Sequence, residues 1–310
     1  MISKLKLLLH PFKVVADIIN AGCMRTELLL RRNRFEREAS LLTNLVLSSK
    51  EPGVSSNRIC KEEVIISLTS YGKRINDVYL AIESIMRGSL KPNRIILWLN
   101  EPDFTEKKLP ITLKLQKERG LEIRPCKDIR SYKKLLYTLK DYPEACIITI
   151  DDDAIYNFDF LENLIKSHNE NPFYIYANRV HRIKKNLDGS IKRYQDWGWT
   201  VPKEESIKND LFFTGIGGVL YPPHSLNEEV FNEDVFSEIC PTADDIWFNA
   251  MARLKGTKIE KSFTHVANGE DYILNETVQD CALSLINNAA ENSSNDIQIK
   301  AVFEKYRIKI

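Results

Sequence analysis

The chain has 310 residues, 43% of them hydrophobic and 28% charged, which suits one large α/β domain or two small ones, either with a sizeable core. Forty-four basic residues against 43 acidic ones leave a formal charge of +1, so no global field argues for nucleic acid or an anionic membrane as a partner. No run of about 18 apolar residues occurs, so no segment reads as a membrane-spanning helix.

The opening stretch, MISKLKLLLHPFKVVADIINAG, mixes apolar residues with Lys4, Lys6 and Lys13 at roughly helical spacing. Pro11 is expected to break it, and a signal-peptide cleavage pattern is missing. It suits a helix packed on the protein or a partner, or an interfacial helix giving residues 1–50 peripheral contact with a membrane. A second helix is expected in RTELLLRRNRFEREASLLTNLVL, followed by a linker at residues 48–57, SSKEPGVSSN. Six cysteines, Cys23, Cys60, Cys126, Cys146, Cys240 and Cys281, contain no C-x-x-C pair and read as reduced thiols of a cytoplasmic protein, two of them in strands.

Beyond the linker, strands and helices alternate. EVIISLTSYG (63–72) is a strand and turn, and INDVYLAIESIMRG (75–88) a helix stopped by Gly88. NRIILWLN (93–100) is a strand, followed by a helix around ITLKLQKERG, a strand LEIRPC (121–126) and a helix YKKLLYTLKDYP. This order predicts an α/β fold with a mostly parallel sheet and helices on both faces. Ligands of open α/β sheets bind beyond the carboxyl ends of the strands. Here those ends carry Thr69, Ser70 and Tyr71, then Asn100, then Lys127 and Asp128. Neither a G-x-G-x-x-G fingerprint nor a G-x-x-x-x-G-K-[ST] phosphate loop is present.

The next strand, ACIITIDDDAIY (145–156), runs straight into Asp151, Asp152 and Asp153. Crowded carboxylates lose hydration and repel one another, so a cation or solvent must compensate them. If strand alternation continues, Asp151 and Asp153 share one side and offer oxygen ligands to Mn²⁺ or Mg²⁺, while Asp152 points away. The alternative is a solvated acidic loop, with Asn157 or Asp159 capping the following helix.

The regular alternation then stops. YIYANRVHRI suits one more strand, and YQDWGWTVP is a loop carrying Trp197 and Trp199, which serve either as sugar platforms or as core. In LFFTGIGGVLYPP, Gly215, Gly217 and Gly218 allow a close backbone approach or a sharp turn. CPTADDIWFNAMARLKG reads as a helix with Thr242 as N-cap and Asp245 in the capping-box position. The pair Asp244 and Asp245 also suits a general base. His265 in KSFTHVAN is a structural histidine or a ligand.

Taken in order, SLTSYGKRI, IILWLN, SYKKLLYTL, IITIDDDAIY, FTGIGGVLYPP and CPTADDIWF resemble bacterial nucleotide-sugar glycosyltransferases of the GT-A fold, close to the family 2 type of surface polysaccharide (capsule or lipopolysaccharide) synthesis. The resemblance covers roughly residues 63–265. It implies a Rossmann-like GT-A domain at 61–290, with a nucleotide-sugar half to residue 156 and an acceptor half beyond it. A helical extension (1–60) would precede the domain and a helical tail (291–310) follow it. It implies Mn²⁺ or Mg²⁺ on Asp151 and Asp153, with His265 completing the set. Thr69, Ser70, Tyr71, Arg74, Asn100, Lys133, Lys134, Asp151 and Asp152 would face a donor, with a UDP-sugar favoured. Gly217, Gly218, Trp197 and Trp199 would face the donor sugar or a glycan or lipid-linked glycan acceptor. Asp245, or Asp244 beside it, would be the base of an inverting transfer. A retaining transferase would share the metal motif without the base, and a non-catalytic nucleotide- or carbohydrate-binding module would need neither acid.

Overall fold

The structure is a computed structural model and describes residues 2–101, 105–203, 210–264, 271–275 and 294–310, with residues 2–21 and 106 as backbone only. Its centre is a seven-stranded sheet of β1 (Val64–Thr69), β2 (Arg94–Asn100), β3 (Leu121–Cys126), β4 (Cys146–Thr149), β6 (Ile175–Ala177), β9 (Val219–Tyr221) and β10 (Ile259–Lys261). The spatial order is β10-β6-β9-β4-β1-β2-β3. All neighbours are parallel except β9, which runs antiparallel to both β4 and β6. Two small antiparallel pairs lie outside this sheet: β5 (Ala154–Tyr156) with β11 (Tyr272–Leu274), and β7 (Val180–Arg182) with β8 (Leu211–Phe213).

The β-branched runs become central strands because both faces of the sheet are covered. Alternate residues separate onto the two faces. Ile65, Ile96, Trp98, Ile147 and Val219 join one core with α4 (Lys133–Asp141), α7 (Asp244–Lys255) and α8 (Ser294–Lys305). Val64, Ile66, Leu97, Ile148 and Leu220 join the other with α2 (Val78–Met86), α3 (Ile111–Glu118) and α5 (Phe160–Glu170). A short helix α6 (Glu233–Ile239) completes the first layer through Phe236.

Three local expectations change. The N-terminal region is one helix, α1 (Ile2–Ser48), of 47 residues and roughly 70 Å at the usual 1.5 Å rise, continuous through Pro11. A proline removes one intrahelical bond and kinks the path, but the bonds of the flanking turns can still carry the helix across it. YIYANRVHRI is two strands rather than one, because the chain leaves the large sheet at Asn178 and Arg179 and enters the β7–β8 pair. The helix after the acidic pair starts at Asp244 with Ala243 as N-cap and no capping side chain. Thr242 is instead held by Gln298 of α8, whose amide accepts the Thr242 N–H at 3.0 Å and donates to its Oγ1 at 2.9 Å.

Candidate active site

Strand direction brings three distant segments to one edge. Parallel β1 and β4 end there with Thr69–Ser70 and the acidic turn, while antiparallel β9 begins there, directly after Gly215 to Gly218. Strand order also reverses between β4 and β1, and the crevice at such a switch point is where open α/β sheets take their ligands.

At that reversal, Ser70 Oγ donates to Asp152 Oδ2 at 2.6 Å, and Arg74 Nη1 reaches Asp152 Oδ1 at 2.9 Å and Asp153 Oδ2 at 3.2 Å. The alternation expected across the three aspartates therefore does not hold. Strand β4 ends at Thr149, residues 151–153 form a turn, and Asp153 sides with Asp152 on Arg74 rather than with Asp151. Burial, and next the charge of Asp153, push the Asp152 carboxyl up to about 6 against the pull of Arg74 and Ser70.

Asp151 belongs to a second cluster. Lys134 Nζ, on the first turn of α4, lies 2.8 Å from Asp151 Oδ1 and 3.1 Å from Asp244 Oδ2. Asp245 Oδ2 accepts the Gly215 N–H at 2.9 Å. A Cβ at 215 would stand 2.8 Å from Lys134 Nζ and 3.0 Å from Asp245 Oδ1, with Asp151 Oδ1 at 3.6 Å, so a larger residue there would push these charged side-chain ends aside. The Tyr156 hydroxyl clamps the two sides, accepting from Asp151 N at 2.9 Å and donating to Ile216 O at 3.1 Å.

Three carboxylates thus crowd one buried ammonium. Burial alone would lower the Lys134 pKa, but Asp151, Asp244 and Asp245 more than offset it and hold the ammonium well above the usual lysine range. Burial, then the neighbouring Asp244, push the Asp245 carboxyl up to about 7. Asp245 does not cap its own helix, since its carboxylate is turned to the Gly215 amide.

The other expected residues divide. Lys133 Nζ is paired with Asp128 at 2.9 Å, beyond the end of β3 and away from the Lys134 cluster. Thr69 Oγ1 donates to Trp98 O at 2.8 Å, tying β1 to β2, while Tyr71 is exposed with the Arg74 guanidinium 5.5 Å from its ring centre. Asn100 closes β2 at the same edge, half-buried. Gly217 and Gly218 serve packing: a Cβ at 217 would lie 3.0 Å from the Arg179 backbone nitrogen. At 218, where φ is +85°, a Cβ would lie 2.6 Å from the Phe160 ring. Trp197 is core, donating from Nε1 to Lys192 O at 2.9 Å and packing on Phe212. Trp199 is 46% exposed, with the His181 ring 4.5 Å away and the Arg179 guanidinium 5.5 Å from its centre. His265 lies outside the described residues.

Sequence reasoning missed Tyr156 and Arg179. The tyrosine sat inside an apolar strand with nothing to mark its hydroxyl, and the arginine sat in what read as an uninterrupted strand.

No protein-family model and no curated protein matches the chain. Among solved structures it is similar to a CMP:2-keto-3-deoxy-manno-octonic acid synthetase complexed with CTP, at 12% identity and a TM-score of 0.39, over 74% of this chain and 100% of that one. It is also similar to a mannosyltransferase from Pyrobaculum calidifontis in complex with GDP-Man and Mn²⁺, at 13% identity and a TM-score of 0.42, over 73% of this chain and 66% of that one.

Proposed function

We propose that the protein is a metal-dependent glycosyltransferase that moves a sugar, with inversion, from a nucleotide-sugar donor to a hydroxyl of a glycan or lipid-linked glycan in surface polysaccharide synthesis. One observation carries the reading: Lys134, Asp151, Gly215, Asp244 and Asp245, spread over more than a hundred residues, converge on one point at the switch-point edge. The donor is a UDP-sugar in this reading, as the sequence resemblance suggests.

Asp151 and Asp153 suit a hard divalent cation, because each offers carboxylate oxygens and the five aspartates at this edge outnumber the cations Lys134 and Arg74 that pair with them. Asp151 and Asp153 would hold Mn²⁺ or Mg²⁺, which when bound neutralises charge on the departing nucleoside diphosphate. Arg74 holds Asp153 at 3.2 Å, so ligation through both aspartates requires that contact to loosen.

The chain's own groups supply the rest. Asp245 takes the proton of the acceptor hydroxyl, and its raised pKa makes it a stronger base than an exposed aspartate. The hydroxyl oxygen then attacks the anomeric carbon as the bond from that carbon to the diphosphate oxygen breaks. Lys134 keeps Asp151 and Asp244 in place and adds positive charge beside the leaving group. Ser70 and Arg74 fix Asp152 at the nucleotide side, with Thr69, Tyr71 and Asn100 bordering it. Trp199, 46% exposed, offers indole surface to the apolar side of a sugar.

The test is hydrolysis of a panel of nucleotide sugars in Mn²⁺ or Mg²⁺, with Asp151→Asn and Asp245→Asn alongside. Asp245→Asn is expected to lower turnover by about 10²- to 10⁴-fold while donor binding persists. Asp151→Asn is expected to lose metal-dependent nucleotide binding. If no donor is turned over and calorimetry finds no nucleotide binding in the presence of metal, the reading fails and a binding module for another ligand replaces it.

A further inference from the structure

A second group of metal-ligating side chains lies at the opposite end of the sheet. Cys60 and Glu62 precede β1, and His168 sits near the end of α5. One ligand atom from each of Cys60, Glu62 and His168 lies within 4.8 Å of the others. β1 runs away from this group toward the aspartates, which places the two roughly 17 Å apart along the strand at 3.3 Å per residue.

The geometry is already close to that of a bound ion. His168 Nε2 and Glu62 Oε2 are 3.3 Å apart, and bonds of about 2.0 Å to a tetrahedral zinc subtend an edge of about 3.3 Å. His168 is almost wholly buried and its Nδ1 has no hydrogen-bond partner among the described residues, so packing and Nε2 alone hold the ring. Cys60 is half-buried, its thiol donating to the carbonyl of Glu62 at 3.4 Å. It sits in a bent segment before the strand, where a shift of about an ångström toward the other two ligands disturbs no sheet pairing.

We propose that Cys60, Glu62 and His168 form a site for Zn²⁺ or a chemically similar borderline cation, separate from the aspartate cluster. One thiolate, one imidazole and one carboxylate are the donor mixture that such an ion takes and that Mg²⁺ does not. Three protein ligands leave a fourth position for water on the partly exposed side of Cys60 and Glu62. Burial raises the thiol pKa, and a cation reverses that by taking the proton's place on sulfur. The ion pins the chain entering β1 to the end of α5, so it acts as a staple of the fold. The inference is independent of the proposed transferase activity.

The experiment is a Co²⁺ titration of the whole, metal-stripped chain in excess Mg²⁺, read by the thiolate-to-cobalt absorption band, with Zn²⁺ displacing Co²⁺ and thermal melts in parallel. The expected result is one equivalent bound, a band abolished by Cys60→Ser, affinity lowered about tenfold or more by Glu62→Gln, and a Tm raised by Zn²⁺. Asp153→Ala should leave the band intact, which separates this site from the aspartate cluster. His168→Gln is checked by circular dichroism for folding, and Glu62→Gln, on a more exposed ligand, stands in if it fails. The proposal is overturned if no thiolate band forms, if the band survives Cys60→Ser, or if Asp153→Ala removes it. In the first case the group is a plain hydrogen-bonded Glu62–His168 pair with a thiol beside it.

Discussion

At the residue scale, Lys134 decides whether the site holds together. Its ammonium is buried among Asp151, Asp244 and Asp245, and removing one partner of a buried ionic group leaves the others uncompensated. Lys134→Met is expected to cost about 3–5 kcal/mol in denaturant unfolding, part of it recovered by millimolar Mg²⁺. An unchanged midpoint would remove the electrostatic account of the cluster. His181 gives the pH dependence. Its Nδ1 accepts the Thr200 N–H at 3.1 Å, and burial, then Arg179, push its pKa down to about 3. Between that value and the unfolded value near 6.5 the unfolded chain binds the extra proton, so this contribution is full above about 6.5 and is lost as pH falls. The slope is up to about 1.4 kcal/mol per pH unit. Asp152 and Asp245 act in the opposite sense, their raised pKa values favouring the fold below about 6 to 7. Wild type should therefore lose stability relative to His181→Phe between pH 6 and 4, measured as the difference between the two unfolding curves. Parallel curves would show that the ring is already charged in the fold.

At the element scale, α1 is two structures in one. Toward its end, Phe35 and Leu42 pack with Leu80, Ile155 and Ile273, and Thr43 Oγ1 meets the Tyr79 hydroxyl at 2.9 Å. Upstream, Met24, Leu28, Leu29 and Leu30 are exposed. The periodicity of RTELLLRRNRFEREASLLTNLVL predicted a helix but not which leucines it buries, because its apolar residues are spread around the axis. Leu42→Ala is expected to cost about 2–5 kcal/mol, and Leu29→Ala less than about 0.5 kcal/mol. Equal losses would mean that the upstream part also packs against something in solution. The start of α7 teaches the same lesson. Thr242 and Asp245 have the spacing of a capping box, yet Gln298 of α8 takes Thr242 and Gly215 takes Asp245. Partners more than fifty positions away in one case and thirty in the other outcompeted the local motif.

At the scale of the whole molecule, one sheet joins the segments before and after the acidic turn, since β9 inserts between β4 and β6. The last helix, α8, buries Ile299, Val302 and Phe303 in the same core as Trp247 and Phe248. Phe303→Ala is expected to cost about 3–5 kcal/mol, with far-UV circular dichroism and tryptophan fluorescence shifting together. A fluorescence transition that moved alone would show that the two halves unfold separately. The sequence by itself determined the α/β layering, the parallel strands and the polar residues at their ends, because buried β-branched runs, helical periodicity and turn residues are local signals. It also marked the two acidic groups, since consecutive aspartates after an apolar strand need compensation wherever they fold. Only the tertiary structure decided how they divide, Asp152 and Asp153 to Arg74, and Asp151 with Asp244 to Lys134. It likewise made Gly218, at a positive φ against the Phe160 ring, a position that suits only glycine, and Trp197 part of the core. Those outcomes depend on β9 running antiparallel beside β4 and on α7 docking against the Gly215 turn, and long-range strand pairing and packing of that kind leave no local signal in the chain.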